Sequence, residues 1–106
     1  MAWVFLVVAG LLEIGWAYTM KRSDGFTLVV PTIVTLVLAV VSFAFLSFAM
    51  KTLPLGTAYT VWVGIGAVGA FAAGVVFLGE AATPMRVVAA ALIFTGIVLM
   101  KLSSAD

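Results

Sequence analysis

Four long apolar runs occupy most of this 106-residue chain. They lie at about residues 3–20, 31–50, 56–78 and 84–100, and a helix that crosses a bilayer needs about 20 apolar residues. Hydrophobic residues make up 66% of the chain, which is too much apolar surface for a water-soluble domain of this size. Only helices and closed barrels satisfy every backbone group in lipid, and barrel strands would alternate in polarity. We therefore predict an all-α membrane protein with four transmembrane helices per chain.

Short polar or proline-containing segments separate the four runs. Residues 21–25 form a charged turn, and residues 51–56 form a short break that contains Pro54. Pro31 and Pro84 suit the first turn of a helix, where a missing backbone N–H costs nothing, and Thr83 is a good N-cap before Pro84. Because no linker and no internal repeat is visible, we expect residues 1–106 to form a single four-helix transmembrane domain.

Composition excludes several classes of function. The chain has no Cys and no His, so disulfides, thiol chemistry and the usual zinc sites are ruled out, and we expect no metal and no cofactor. A net charge of +1 provides no field that would attract nucleic acid. We expect a protein whose partners are the lipid bilayer and small solutes, and not an enzyme.

Glu13 is the only carboxylate inside any of the apolar runs. At about 1.5 Å of rise per residue it lies about 15 Å along the helix from Trp3, near the middle of the membrane. A charge at that depth costs roughly 2.5–3.5 kcal/mol on insertion scales, and acids found there commonly mark proton or ion pathways. We predict that Glu13 binds a proton, a cation, or each in turn; a permanently protonated, structurally idle carboxyl is the alternative.

Side chains from three runs are candidates to surround this acid. Trp16 shares a helix face with Glu13 through its spacing of three residues. Tyr59 and Trp62 have the same spacing, and their ring faces would attract a cation. Ser42 can donate a hydrogen bond to a carboxylate. The alternatives are membrane-interface positions for the aromatic residues and a bond from Ser42 to its own helix.

Small residues are concentrated in the third and fourth runs. In the third, Gly64 and Gly66 predict a bending point of the helix, with close packing against a neighbouring backbone as the alternative. In the fourth, small residues seven positions apart flank two larger apolar residues. This pattern predicts a seam between two chains, formed by Ala89, Leu92, Ile93 and Gly96.

The basic residues leave the orientation of the chain undecided. With four spans, Lys51 and Lys101 lie on one side of the membrane, and Lys21, Arg22 and Arg86 lie on the other. The positive-inside rule needs a clear excess on one side, and two against three is almost none. Either one weak orientation dominates, or the chain inserts both ways and the two forms pair antiparallel. The second arrangement would supply the inverted repeats on which many transporters are built.

A set of motifs runs nearly end to end along the chain. The first run contains Glu13, Trp16 and Ala17 in the order Glu-x-x-Trp-Ala, and residues 21–26 read Lys-x-Ser-x-Gly-Phe. Residues 51–66 read Lys-x-Leu-Pro-x-Gly-Thr-Ala-Tyr-x-x-Trp-x-Gly-x-Gly. Residues 78–86 and 96–101 fit the same pattern. Together these motifs resemble the small multidrug resistance transporters, and within them the guanidinium exporter subtype.

The resemblance implies an antiparallel, dual-topology homodimer in a bacterial inner membrane that exchanges protons for guanidinium-type cations. It assigns proton and substrate binding to Glu13, Trp16, Ser42, Tyr59 and Trp62, and it places the dimer seam on residues 89–96. The subtype rests mainly on Trp16, where exporters of polyaromatic cations usually carry a small residue. Val63 departs from the subtype, which often has Thr there, and this leaves the range of substituted guanidines open.

The predicted mechanism places two copies of Glu13, one per subunit, in a shared cavity. Protons occupy the carboxyls without substrate, and guanidinium displaces them by presenting a planar donor fork. Trp16 and Trp62 would contact the cation, while Ser42 and Tyr59 would orient the carboxylates. The alternatives are an exporter of bulky quaternary ammonium or aromatic cations, a passive cation channel, and a membrane subunit without transport activity of its own.

Overall fold

The computed structural model describes residues 1–103 and contains four helices over that range. They are α1 (Ala2–Arg22), α2 (Val29–Ala49), α3 (Leu55–Leu78) and α4 (Pro84–Leu102). Each is long and apolar enough to cross a membrane. The prediction of four transmembrane helices is confirmed, with boundaries that differ by no more than two residues from those expected.

Local sequence explains where the helices begin and end. Thr83 caps α4 by accepting a hydrogen bond from the backbone N–H of Arg86 at 3.3 Å, and Pro84 follows as the first helical residue. Pro31 lies in the first turn of α2, where backbone N–H groups have no partner within the helix. Gly79 ends α3 in the left-handed conformation, with a φ of 69°, which is favourable only for a residue without a Cβ.

The turn between α1 and α2 is held by one serine. Ser23 is fully buried, and its hydroxyl donates to the carbonyl of Met20 at 2.6 Å and accepts from the backbone N–H of Phe26 at 3.0 Å. The three residues after Ser23, namely Asp24, Gly25 and Phe26, have positive φ values of 52°, 71° and 66°. This left-handed stretch reverses the chain within a few residues.

The helices form a flattened layer with extents of 43 × 34 × 16 Å. Helices α1 and α3 lie at its centre, with α2 packed chiefly on α1, and α4 packed chiefly on α3. The buried apolar core lies where these central helices meet the end of α2: Leu6, Ala9, Leu46, Ala49, Leu53, Ala58, Val61 and Trp62. No residue of α4 is buried within the described part of the chain. One face of α4 therefore has no packing partner among residues 1–103.

Candidate functional site

Glu13 lies on α1 and points at the backbone of α3. A Cβ added at Gly66 would collide with the Glu13 carboxyl group, so the carboxyl occupies the space left by the missing side chain of this glycine. Its Oε1 atom is buried and has no hydrogen-bond partner anywhere in residues 1–103. Because a buried polar atom without a partner costs about 1–3 kcal/mol, this oxygen is poised to accept a bond from an added proton or ligand.

Ser42 braces the helical turn that carries Glu13. Its hydroxyl is fully buried, donates to the Ala9 carbonyl at 2.8 Å and accepts from Trp62 Nε1 at 3.1 Å. In an α-helix the carbonyl of Ala9 is also the acceptor for the backbone N–H of Glu13, four residues on. Ser42 thus joins α1, α2 and α3 one turn from the acid. In this protomer the hydroxyl reaches α1 and neither the carboxyl nor its own helix, so direct contact with the Glu13 carboxyl stays a prediction.

Aromatic rings form a continuous row beside this polar junction. Trp16 meets Phe43 edge to face with ring centroids 6.3 Å apart, Phe43 meets Trp62 at 5.8 Å, and Trp62 meets Tyr59 at 5.7 Å. The row brings together the predicted aromatic residues from α1 and α3. Phe43, which lies between them, was not among the residues predicted from sequence, and its position next to Ser42 is the only sequence signal for its place in the row.

The two ends of the aromatic row have different surroundings. Trp16 Nε1 is buried and has no hydrogen-bond partner among the described residues, which disfavours a membrane-interface position, where the N–H would meet polar groups. Tyr59 is 53% exposed and lines a groove between α3 and α4. An interface position for Tyr59 is compatible with that exposure. Its predicted role in binding stays a prediction.

The glycines of α3 permit close helix packing. A Cβ at Gly64 would approach Ile97 of α4 to 2.9 Å, just as one at Gly66 would meet Glu13. A Cβ added at Gly10 of α1 would likewise approach the Ile65 side chain of α3 to 2.7 Å. Close packing is therefore observed at these positions, and the atoms that approach the glycines belong to side chains. Helix α3 is continuous from Leu55 to Leu78, and the bend at Gly64 and Gly66 stays a prediction.

The predicted dimer-seam residues lie on α4, which packs against α3 on one side. Leu92 is 68% exposed, and nothing lies within 4 Å of a Cβ placed at Gly96. Ala89 is exposed, whereas Ile93 is turned partly toward Gly64 of α3. A groove of about 810 Å³ runs beside Ile93 and Gly96. These features leave room for a second helix.

Replacing Ser42 by Ala should destabilise the fold because two buried groups lose their partner at once. The indole N–H of Trp62 would lack an acceptor and Ala9 would lose its second donor, for a cost of about 1–3 kcal/mol. Unfolding in mixed detergent micelles measures this, and Ser47→Ala is the matched control, since Ser47 is an exposed serine on the same helix. Equal stability of the two variants would show that the buried junction contributes nothing.

Fold and site together define a small, multi-pass helical membrane protein with one acid facing a neighbouring helix at mid-span. The family model described as Small Multidrug Resistance protein matches residues 1–93, and the chain belongs to that family. A relative from Escherichia coli strain K12, called "Guanidinium exporter", is 53% identical over 104 residues, which cover 98% of this chain and 99% of the relative. Relatives of the same name from Citrobacter freundii and Salmonella typhimurium are 52% identical with equal coverage.

Family and fold place the chain as a multi-pass protein of the bacterial inner membrane. The resemblance to the small multidrug resistance transporters is confirmed. Within residues 1–103 no group of three or more acidic side chains forms a metal-binding cluster. The site contains one carboxyl, one hydroxyl and aromatic rings, and such a set of groups has the chemistry to hold a proton or an organic cation.

Proposed function

We propose that this protein exports guanidinium and small guanidinium-like cations across the inner membrane in exchange for protons, by alternating access. The observation that carries the proposal is the buried Oε1 of Glu13, which has no partner among the described residues. An acid kept in hydrocarbon is costly and commonly belongs to a transport path. The shared name of relatives more than half identical over nearly the full chain supports guanidinium as the substrate.

The groups around Glu13 suit a flat cation better than a metal ion. A guanidinium ion has only N–H donors, and a carboxylate matches two of them in a bidentate pair. The indole N–H of Trp16 cannot bond to such a cation, since both are donors. It can instead donate to the Glu13 carboxylate and hold its orientation, while the ring faces of Trp16 and Trp62 offer the cation a π-surface.

The proton and the cation compete for the Glu13 carboxyl, and this competition couples the proton flux to the guanidinium flux. When Glu13 holds a proton it has no negative charge for the cation, and when it holds the cation the proton has left. A proton that binds from outside therefore displaces guanidinium to the outside and is then carried into the cell, provided that the site faces one side at a time. The tightly packed glycine contacts between α1 and α3 would let these helices shift as a unit.

The transporting unit in this proposal is an antiparallel homodimer. The protomer is a flattened layer, and α4 presents Leu92 and an open surface at Gly96 with no partner among residues 1–103. Nearly balanced basic residues at the two ends of the helices favour insertion in both directions. Two oppositely inserted copies would bring two Glu13 carboxyls to one cavity, joined through α4 along Ala89, Leu92, Ile93 and Gly96.

The function is tested with the purified chain alone in liposomes. An outward proton gradient should drive guanidinium into the vesicles against its own concentration gradient, while a bulky quaternary ammonium ion should be accumulated far less. Radiolabelled guanidinium uptake measures the first, and competition by the ammonium ion measures the second. Accumulation that never exceeds equilibrium would indicate a channel, and no transport at all would indicate a subunit that needs other components.

A further inference from the structure

The carboxylate of Glu80 lies against α3, the helix that the Glu13 carboxyl also contacts. The left-handed Gly79 ends α3 and turns the chain back, so that the backbone N–H of Glu80 donates to the Gly74 carbonyl at 3.0 Å. The Glu80 carboxylate folds onto this glycine, and a Cβ added at Gly74 would collide with it. Gly66 and Gly74 each make room for one carboxyl group, and they lie about 12 Å apart along the helix.

A small cavity lies beside Glu80, between the ends of α1 and α3. Its volume is about 190 Å³, and it is lined by Ala17, Tyr18, Lys21, Ala70, Ala73, Gly74, Leu78 and Glu80. A water molecule takes about 30 Å³ in the liquid, so the space suits about six waters. Among the lining residues Glu80, Lys21 and Tyr18 carry polar groups. The cavity therefore has both the size and the polarity that water requires.

The inner end of this cavity approaches Glu13. Ala17 follows Glu13 by one helical turn on α1, and Ala70 follows Gly66 by one turn on α3, a distance of about 6 Å along either axis. Both residues line the cavity and carry only a methyl group. The cavity thus ends about one helical turn from Glu13, which does not itself line it.

The ionisable side chains near Glu80 belong to α1. Lys21 and Tyr18 face the cavity from α1, and the guanidinium of Arg22 lies over the Tyr18 ring at 5.7 Å. From α3 no ionisable side chain lines the cavity, and Arg86 of α4 lines a separate cavity near Phe71. No ion pair holds Glu80 among residues 1–103. Its carboxylate is available for exchange with water.

We propose that Glu80 and this cavity form a proton-exchange path between the membrane surface and Glu13. The inference rests on the proposed function, because it concerns how protons reach the same acid. Glu80 takes a proton from bulk water and passes it to a water molecule in the cavity. That water gives one of its own protons to the next, and the last O–H bond to break leaves its proton on Glu13. Each O–H bond that forms is matched by one that breaks, and Glu80 returns to its ionised form.

The test separates proton delivery from cation movement. Glu80→Gln should slow proton-driven guanidinium uptake into liposomes by about tenfold, since a positioned proton-transfer group contributes at least that much. Exchange of labelled for unlabelled guanidinium at equal pH on both sides moves no net proton. That exchange should remain at the wild-type rate. Gly74→Ala, which displaces the carboxylate without removing it, should reproduce the defect in part.

Asp24→Asn is the matched control for charge. Asp24 is an exposed carboxylate at the same membrane end and lines none of the cavities described above, so its loss should leave proton-driven uptake unchanged. An equal defect in Asp24→Asn would assign the effect to surface charge and overturn the path. Unchanged uptake in Glu80→Gln, or an equal loss of self-exchange, would also overturn it. Absence of any guanidinium transport by the wild type would instead refute the proposed function.

Discussion

Glu13→Gln should abolish proton-coupled guanidinium transport while leaving the protein folded. The amide keeps the shape of the side chain but cannot ionise, so it neither carries a proton nor pairs with a cation. Loss of two charge-assisted hydrogen bonds, each contributing about 1.5–3 kcal/mol, predicts at least about a 100-fold loss of affinity. Guanidinium titration followed by tryptophan fluorescence and liposome uptake driven by a proton gradient measure the two effects.

Glu13→Asp is the matched variant, because it keeps the charge and withdraws it by one methylene. It should transport more slowly and remain coupled to protons. Dimers assembled from wild-type and Glu13→Gln chains test whether two carboxyls act together: their activity should fall more steeply than the fraction of wild-type chains. Retained pH-dependent uptake by pure Glu13→Gln would contradict the mechanism at its centre.

Gly66→Ala should impair binding with little loss of stability. The added methyl group would collide with the Glu13 carboxyl, which is the far end of a flexible side chain and can move away. The displaced carboxyl would leave its position against Gly66, and the loss of one charge-assisted bond predicts a fall in guanidinium affinity of about tenfold. Alanine also favours the helix relative to glycine, by about 0.5–1 kcal/mol, which offsets part of the strain.

Gly64→Ala provides the comparison for this variant. It adds the same methyl group to the same helix two residues away, where it meets Ile97 at 2.9 Å and not the acid. We expect it to shift the unfolding midpoint more than Gly66→Ala, and guanidinium affinity less. Isothermal titration and unfolding in mixed micelles give both quantities. If the two variants lose affinity equally, the contact between Gly66 and the carboxyl has no functional role.

The apolar runs and the polar or proline-containing segments between them were sufficient to predict the four helices. The start of α4 follows from the capping residue Thr83 and from Pro84, and the end of α1 follows from the charged turn after Met20. These signals act over only a few residues. The site was only partly predictable. Trp16, Ser42 and Trp62 were predicted from residue type and spacing, yet the bond from Ser42 to Ala9 involves a backbone carbonyl, and no side-chain pattern marks it. Phe43 was not among the predicted residues, because no spacing distinguishes it from Phe45 and Phe48 on the same helix.

The amino-acid sequence by itself determined the number of spans and the depth of the acid. Both follow from transfer energies, which depend on how many apolar residues occur in succession and where a charge interrupts them. Only the tertiary structure decided which side chains meet. Each run is apolar on nearly all sides, so polarity does not set the rotation of a helix about its axis. That rotation depends on shape, and the missing side chains at Gly10, Gly64 and Gly66 set how α1, α3 and α4 approach one another.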